Sequence, residues 1–245
     1  MSLWSIRRAS ERGTTQLGWL HSQHTFSFGD YWDAAYLGYG ALRVINEDRL
    51  AAGAGFPPHA HREMEIISYV LSGALQHRDS MGNGSIILPG QVQYMSAGSG
   101  LSHSEYNALQ DEATHFYQIW IVPNVRGGAP RYAQYTMESV DHSQRFGLIA
   151  SGPGSSAPIE LRQDAHLARA WLSAGSALDQ PLAAGRQHWL QVLRGTVNAR
   201  NPAEPTSQGS DLDAGDGLAL AHCPGLSLHA RSETELLLFD LPTFA

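Results

Sequence analysis

Cysteine is nearly missing from this chain of 245 residues. The single one, Cys223, has no partner for an intrachain disulfide, which fits a reducing compartment. It sits in the apolar stretch 218–228 and reads as a small buried hydrophobe, with no redox or ligand role. Positive charge is scarce as well. Lys and Arg number 16 against 23 Asp and Glu, a formal net charge of −7, and this excludes a broad electrostatic surface for nucleic acid. The one adjacent basic pair, Arg7-Arg8, reads as a solvated N-terminal segment. No run approaches the roughly 20 apolar residues of a membrane span. The first eight residues hold no apolar core long enough for a signal peptide. A cytoplasmic protein without membrane contact is therefore expected. Also missing are a phosphate-cradling glycine loop ahead of a helix and a GxSxG elbow. Asp79-Ser80-Met81-Gly82-Asn83-Gly84 lacks the alternating acids and closing glutamate of a calcium loop.

What is present is strand signal. With 42 % hydrophobic and 16 % charged residues, the chain has the makings of a well-packed globule, and its length suits one large β domain or two ordinary ones. Strands are expected at 40–46, ending in a polar turn, and at 65–71, 74–79, 85–88, 92–96 and 115–122. Asn83-Gly84 reads as a hairpin turn. Short strands about ten residues apart, with Gly-rich turns, indicate an all-β sandwich or barrel. Helical periodicity is absent from this half. Two Gly/Pro-rich stretches, 124–130 and 151–158, read as loops.

The second half repeats the first in outline. Residues 187–197 align with 65–75, which places Gly195 on Gly73, and Gly215 falls on Gly90. This is a degenerate duplication with no short period. The domains are expected at 1–133 and 134–245.

The chemistry lies in two short pairs, His59-Ala60-His61 and His103-Ser104-Glu105. Side chains two apart on a strand share a face, so each pair aims both members at one point. Three imidazoles and a carboxylate make a mixed nitrogen and oxygen site for one divalent first-row transition metal. A structural zinc site would more often use cysteine and close all four positions. Iron, Fe(2+), is the expected ion, although zinc, nickel, manganese, copper and cobalt tolerate the same donors. Carried into the second half, the alignment puts Pro181, Ala183, Leu228 and Ala230 where the ligands stand, so that half is expected to hold no metal. His188, His222 and His229 read as structural or surface residues. Phe56, Met64, Phe116 and Trp120 are the candidates for an apolar slot beside the metal. His77 and His115 are candidates for supporting the ligands or adding polar groups to the pocket.

Gly53-x₅-His59-x-His61-x₃-Glu65, closed by Gly73, resembles the first cupin motif. Gly90-x₅-Ser96-Ala97-Gly98 followed by His103-x₃-Asn107 resembles the second, with Ser96 where proline is usual and extra residues before His103. That spacing brings Glu105 into play and leaves open the role of Glu65, a ligand in many cupins. A longer match runs through 24–31, 40–48, 59–69, 77–84, 95–100, 103–105 and 118–120. In these residues the chain resembles pirin and pirin-like proteins. The resemblance implies a bicupin of two β-barrels, with the metal in the N-terminal barrel on His59, His61, His103 and Glu105. It also implies activity of the quercetin 2,3-dioxygenase type, the oxidative opening of a flavonol ring by dioxygen with release of carbon monoxide. Glu105 would then be both ligand and catalytic general base, and the imidazoles ligands only. The alternative implied by eukaryotic pirins is a non-catalytic, redox-responsive coregulator that binds a protein partner. A monomer is expected.

Overall fold

β-branched and aromatic residues in period-two order extend the backbone almost everywhere. The computed structural model describes residues 3–137, 144–204, 206 and 208–243. Among them helix is limited to 3-10 geometry, at Ala9–Glu11 and at Met137. The strands are β1 (Leu3–Arg7), β2 (Gly13–Gln16), β3 (Leu20–His24), β4 (Leu42–Leu50), β5 (Gly55–His61), β6 (Glu65–Ser72), β7 (Leu75–Asp79), β8 (Gly84–Ile87), β9 (Gln91–Ser96), β10 (Leu101–Asn107), β11 (Thr114–Ile121) and β12 (Arg131–Thr136). They continue as β13 (Gly147–Ser151), β14 (Ile159–Glu160), β15 (His166–Leu172), β16 (Ala177–Pro181), β17 (Gln187–Arg194), β18 (Thr196–Arg200), β19 (Ser210–Asp213), β20 (Gly217–Ala221), β21 (Gly225–Ala230) and β22 (Thr234–Leu241).

The chain forms two compact units, Gly13–Ser139 with Leu161–Gln163, and Met1–Arg12 with Val140–Glu160 and Asp164–Ala245. The first holds a seven-stranded sheet in the order β12-β9-β6-β11-β4-β3-β2 and a four-stranded sheet β5-β10-β7-β8. The second holds β1-β20-β17-β22-β15-β13-β14 and β16-β21-β18-β19. The orders β9-β6-β11-β4 and β20-β17-β22-β15 correspond strand for strand, as do the two four-stranded sheets, so the duplication is a duplication of barrels. Gly73 and Gly195 occupy the same turn at φ +81° and +77°, and a Cβ there would meet Thr114 at 2.6 Å and the Glu233 carbonyl at 2.1 Å. Only glycine fits such a left-handed turn against a neighbouring strand.

Several expectations change. A cut at 133/134 would fall inside β12, and β1 pairs with β20 in the second unit. There Arg7 is buried and Arg8 bonds the Asp216 carboxylate at 2.7 Å, so this pair is docked where solvent was expected. Residues 161–163 belong to the first unit, where the Arg162 guanidinium donates to the carbonyls of Gly127 and Ala129. The polar run Asn46-Glu47-Asp48 is no turn, because β4 continues to Leu50 with all three residues buried. The hairpin after β7 turns through Gly82 (φ +93°), and Gly84 already lies in β8. Asp79 closes that turn by accepting from the backbone N–H groups of Met81 and Asn83 and from Asn83 Nδ2. Its carboxyl thus serves its own loop. The stretch 152–158 is a loop between β13 and β14 of the second unit.

The first barrel's interior is layered. One layer is apolar, with Leu50, Val70, Leu75, Ile87 and Phe116 drawn from both sheets. Another is apolar around Ile66, Met95 and Leu101. Between them on β4, β6, β10 and β11 stand the buried polar residues Asn46, Ser68, Glu105 and Gln118. In a barrel that has to exclude water, such a layer needs internal partners.

Candidate metal centre

β5 and β10 are antiparallel neighbours with His103 opposite His59, and a bulge follows between His103 and Glu105. This pairing brings the three imidazoles together. Their ring centroids lie 4.8 Å apart for His59 and His61, 4.5 Å for His59 and His103, and 4.8 Å for His61 and His103. One ring nitrogen of each falls within 4.8 Å of the others. His59 Nδ1–H donates to the Pro57 carbonyl at 2.8 Å, which leaves the Nε2 lone pair free. His103 is buried, and its Nε2 has no hydrogen-bond partner. An orphaned buried ring nitrogen facing two other imidazoles fits a cation. Burial and the neighbouring rings push His61 down to about 4 and His103 down to about 3. Both are therefore neutral at pH 7, the form that ligates.

Glu105 is fully buried. Ser68 Oγ donates to its Oε1 at 2.9 Å and Gln118 Nε2 to its Oε2 at 2.6 Å. Trp120 Nε1 in turn donates to Gln118 Oε1 at 3.1 Å, which fixes the amide's orientation. The carboxylate clusters within 4.8 Å with His103 and His77, while the three imidazoles form a separate cluster on the same terms. Glu105 thus joins the group through His103. His77 is buried against His103, Nδ1 to Nδ1 at 3.5 Å, and its Nε2 lies 3.4 Å from Asp79. It therefore backs His103. His115 pairs with Glu47 at 2.9 Å, outside the pocket.

Glu65 is answered by phase. Ser68 faces the interior, and Glu65, an odd number of residues away, faces the other side of β6. There it accepts from Tyr94 Oη (2.5 Å), Ser96 Oγ (2.5 Å) and the Arg162 N–H (2.8 Å). Burial, with the charge of Glu65 adding to it, pushes the Tyr94 phenol upward.

A cavity of about 420 Å³ opens beside His59, His61 and Glu105. Of the four slot candidates, Phe56 and Trp120 line it. Phe116 points inward but packs into the apolar layer with Leu50 and Leu75. Met64 packs against Ile66, Met95 and Leu101. Phe28 meets Trp120 edge to face at 5.4 Å and adds an aromatic wall. Another part of the lining is polar, formed by Thr15, Ser22, His24, Asn46 and Asp48. His24 is held between Thr15 Oγ1 and Asn46 Oδ1, each at 2.8 Å. Asp48 is pushed up to about 7, mainly by burial, with Glu105 and Glu47 adding to the shift against a hydrogen bond from Ser22. The sequence signal for this wall was the polar run on β4, misread as a turn.

The second barrel's strand registers shift the alignment by one residue at β16 and by two on β21. β21 pairs with β16 and β18 so that Gln180, Leu182, Leu226 and Leu228 stand where the first barrel has His59, His61, His103 and Glu105. Ser68, Gln118, Asn46 and Asp48 correspond to Leu190, Leu238, Ala168 and Ala170. All three leucines among the ligand positions belong to that unit's hydrophobic core. Cys223 packs there too.

Residues 6–121 match the family model described as Pirin, and residues 148–241 the model described as Quercetinase C-terminal cupin domain. The chain is 43 % identical over 237 residues to a protein of Escherichia coli (strain K12) named quercetin 2,3-dioxygenase, covering 97 % of this chain and 98 % of that one. It is 39 % identical over 229 residues to a pirin-like protein of Caulobacter vibrioides, covering 93 % and 95 %. The crystal structure of the bacterial pirin YhhW from Escherichia coli in complex with nickel(II) superposes with a TM-score of 0.90 at 41 % identity, covering 99 % of this chain and all of that one.

Proposed function

The chain belongs to the pirin family, and on that premise we propose that it is a metal-dependent dioxygenase that opens the ring of a flavonol or a related enolised aromatic. The observation that carries the reading is the convergence of His59, His61 and His103, with the free Nε2 of His103, at a cavity walled by Phe28, Phe56 and Trp120. His59, His61, His103 and Glu105 would hold one divalent ion, with Fe(2+) the first expectation. A relative described in complex with nickel(II) supports a divalent ion without choosing iron. When bound, the ion supplies Lewis acidity, lowering the pKa of a coordinated hydroxyl.

The protein's own groups do the rest. The aromatic walls accept a planar ring and exclude water. The cavity's volume falls in the range that encloses ligands of drug-like size. Ser68 and Gln118 each donate to Glu105. Its carboxylate is therefore oriented as an acceptor and serves as the base that takes the substrate's hydroxyl proton. His61 and His103, held neutral, do not compete for that proton.

The test is to load metal-free protein with Fe(2+), Ni(2+), Mn(2+), Co(2+), Cu(2+) or Zn(2+), add quercetin in air, and follow loss of the flavonol absorbance against a metal-free control. Metal-dependent loss is expected, and Glu105→Gln should abolish it. Absence of turnover with every ion would overturn the reading in favour of the redox-responsive regulator.

A further inference from the structure

The polar wall of the cavity holds one group with nothing to do. Asp48 is buried and lines the cavity. Ser22, its cross-strand neighbour, donates a hydrogen bond to the carboxyl, and Oδ1 is left without a partner. The donors around it are committed elsewhere. His24 is engaged by Thr15 and Asn46, and the Gln118 amide by Glu105 and Trp120. A buried carboxyl oxygen without a hydrogen bond is unfavourable. The barrel itself does not need one, since the corresponding position of the second barrel is Ala170.

We propose that Asp48 is a specificity-determining residue, its free Oδ1 accepting a hydrogen bond from a second hydroxyl of the aromatic substrate, remote from the hydroxyl held at the imidazoles. The proposal rests on the functional reading above and adds a substrate class, polyhydroxylated planar aromatics over those with the enol alone. The register supports the reach. Asn46 is opposite Gln118, the donor to Glu105, and Asp48 lies two residues further along β4, about 7 Å at strand rise. A ligand of two or three fused or linked rings spans that step. Leu20 and Phe56 also line the cavity and provide no competing polar partner.

The experiment measures binding without turnover. Metal-loaded wild type, Asp48→Asn and Asp48→Leu are titrated anaerobically with quercetin and with 3-hydroxyflavone, which keeps the enol and lacks the other hydroxyls, by the change in flavonol absorbance. Metal content is measured on the same samples. In Asp48→Asn the Ser22 hydroxyl holds the amide oxygen, so an NH₂ donor faces the cavity in place of the acceptor. At pH 8, above the raised pKa of Asp48, both variants should weaken quercetin roughly tenfold and leave 3-hydroxyflavone within about twofold, the effect of losing one hydrogen bond to a charged group. Equal loss for both probes, or no loss for either, overturns the assignment of Asp48 while leaving the functional reading intact. A wild type that binds neither probe overturns the functional reading and this proposal together.

Discussion

Replacing Glu65 separates a structural carboxylate from a ligand. Three donors converge on it, Tyr94 Oη, Ser96 Oγ and the Arg162 N–H, and the site is fully buried. Hydrogen bonds to a charged acceptor contribute about 1.5–3 kcal/mol each, against about 0.5–1.5 kcal/mol for neutral ones. In Glu65→Gln the remaining oxygen serves Tyr94 and the Arg162 N–H, and the Ser96 hydroxyl rotates to accept from the new NH₂. Three charge-assisted bonds become neutral, a loss of about 3 kcal/mol. Glu65→Ala leaves three buried donors unmatched, and the loss rises above about 5 kcal/mol. At about 2–4 °C per kcal/mol for units of this size, Glu65→Gln should lower the transition of the first barrel by roughly 10 °C. The assay is differential scanning calorimetry, paired with metal analysis by mass spectrometry on the same preparation. Metal stoichiometry should remain at wild-type level. Loss of metal at an unchanged transition temperature would make Glu65 a ligand and refute the phase argument.

Gln118→Leu removes the donor to Glu105 and the acceptor of Trp120, and should weaken metal binding about 10–100-fold in a chelator competition while the fold persists. Gly73→Ala and Gly195→Ala should each destabilise by more than about 3 kcal/mol in urea unfolding. Gly82→Ala, also at positive φ but with nothing within 4 Å of the new Cβ, should lose only about 1–2 kcal/mol. Asp48 is raised from 3.8 to about 7, so the folded state keeps a proton that the unfolded chain releases. Its stabilising contribution is full below pH 4 and lost as pH rises through 7. Asp48→Asn should therefore gain stability over wild type at pH 8, by up to about 4 kcal/mol, and none at pH 4, as measured by denaturant midpoints of the metal-free protein.

The convergence of His59, His61 and His103 was legible because strand alternation is local. His59 and His61 needed only the period of two, and so did the rejection of Glu65 once Ser68 had a face. The layer behind them was not legible. Asn46-Glu47-Asp48 looks like a polar turn because polarity in a short window signals solvent, whereas in a barrel lumen it signals a partnered interior. Phe116 and Trp120 share a face, and only the closure of the barrel decides which one meets the cavity and which the apolar layer. The duplication was readable from Gly73 and Gly195, but the register beyond Ala221 was not. Seven positions separate Ser96 from His103, and five separate Ala221 from Leu226. A two-residue deletion preserves the face of every side chain, so hydrophobic pattern alone cannot detect it.

The placement of β1 has a consequence for synthesis. Leu3 is partnered with Ala221, so β1 leaves the ribosome more than 200 residues ahead of its neighbour. At about 5–20 residues per second that interval is on the order of 10–40 s, within which every residue of the first barrel, 161–163 included, has emerged. Nascent chains should therefore complete the first barrel before the other sheet, whose inner strand β22 emerges even later than β20, the neighbour of Leu3–Arg7.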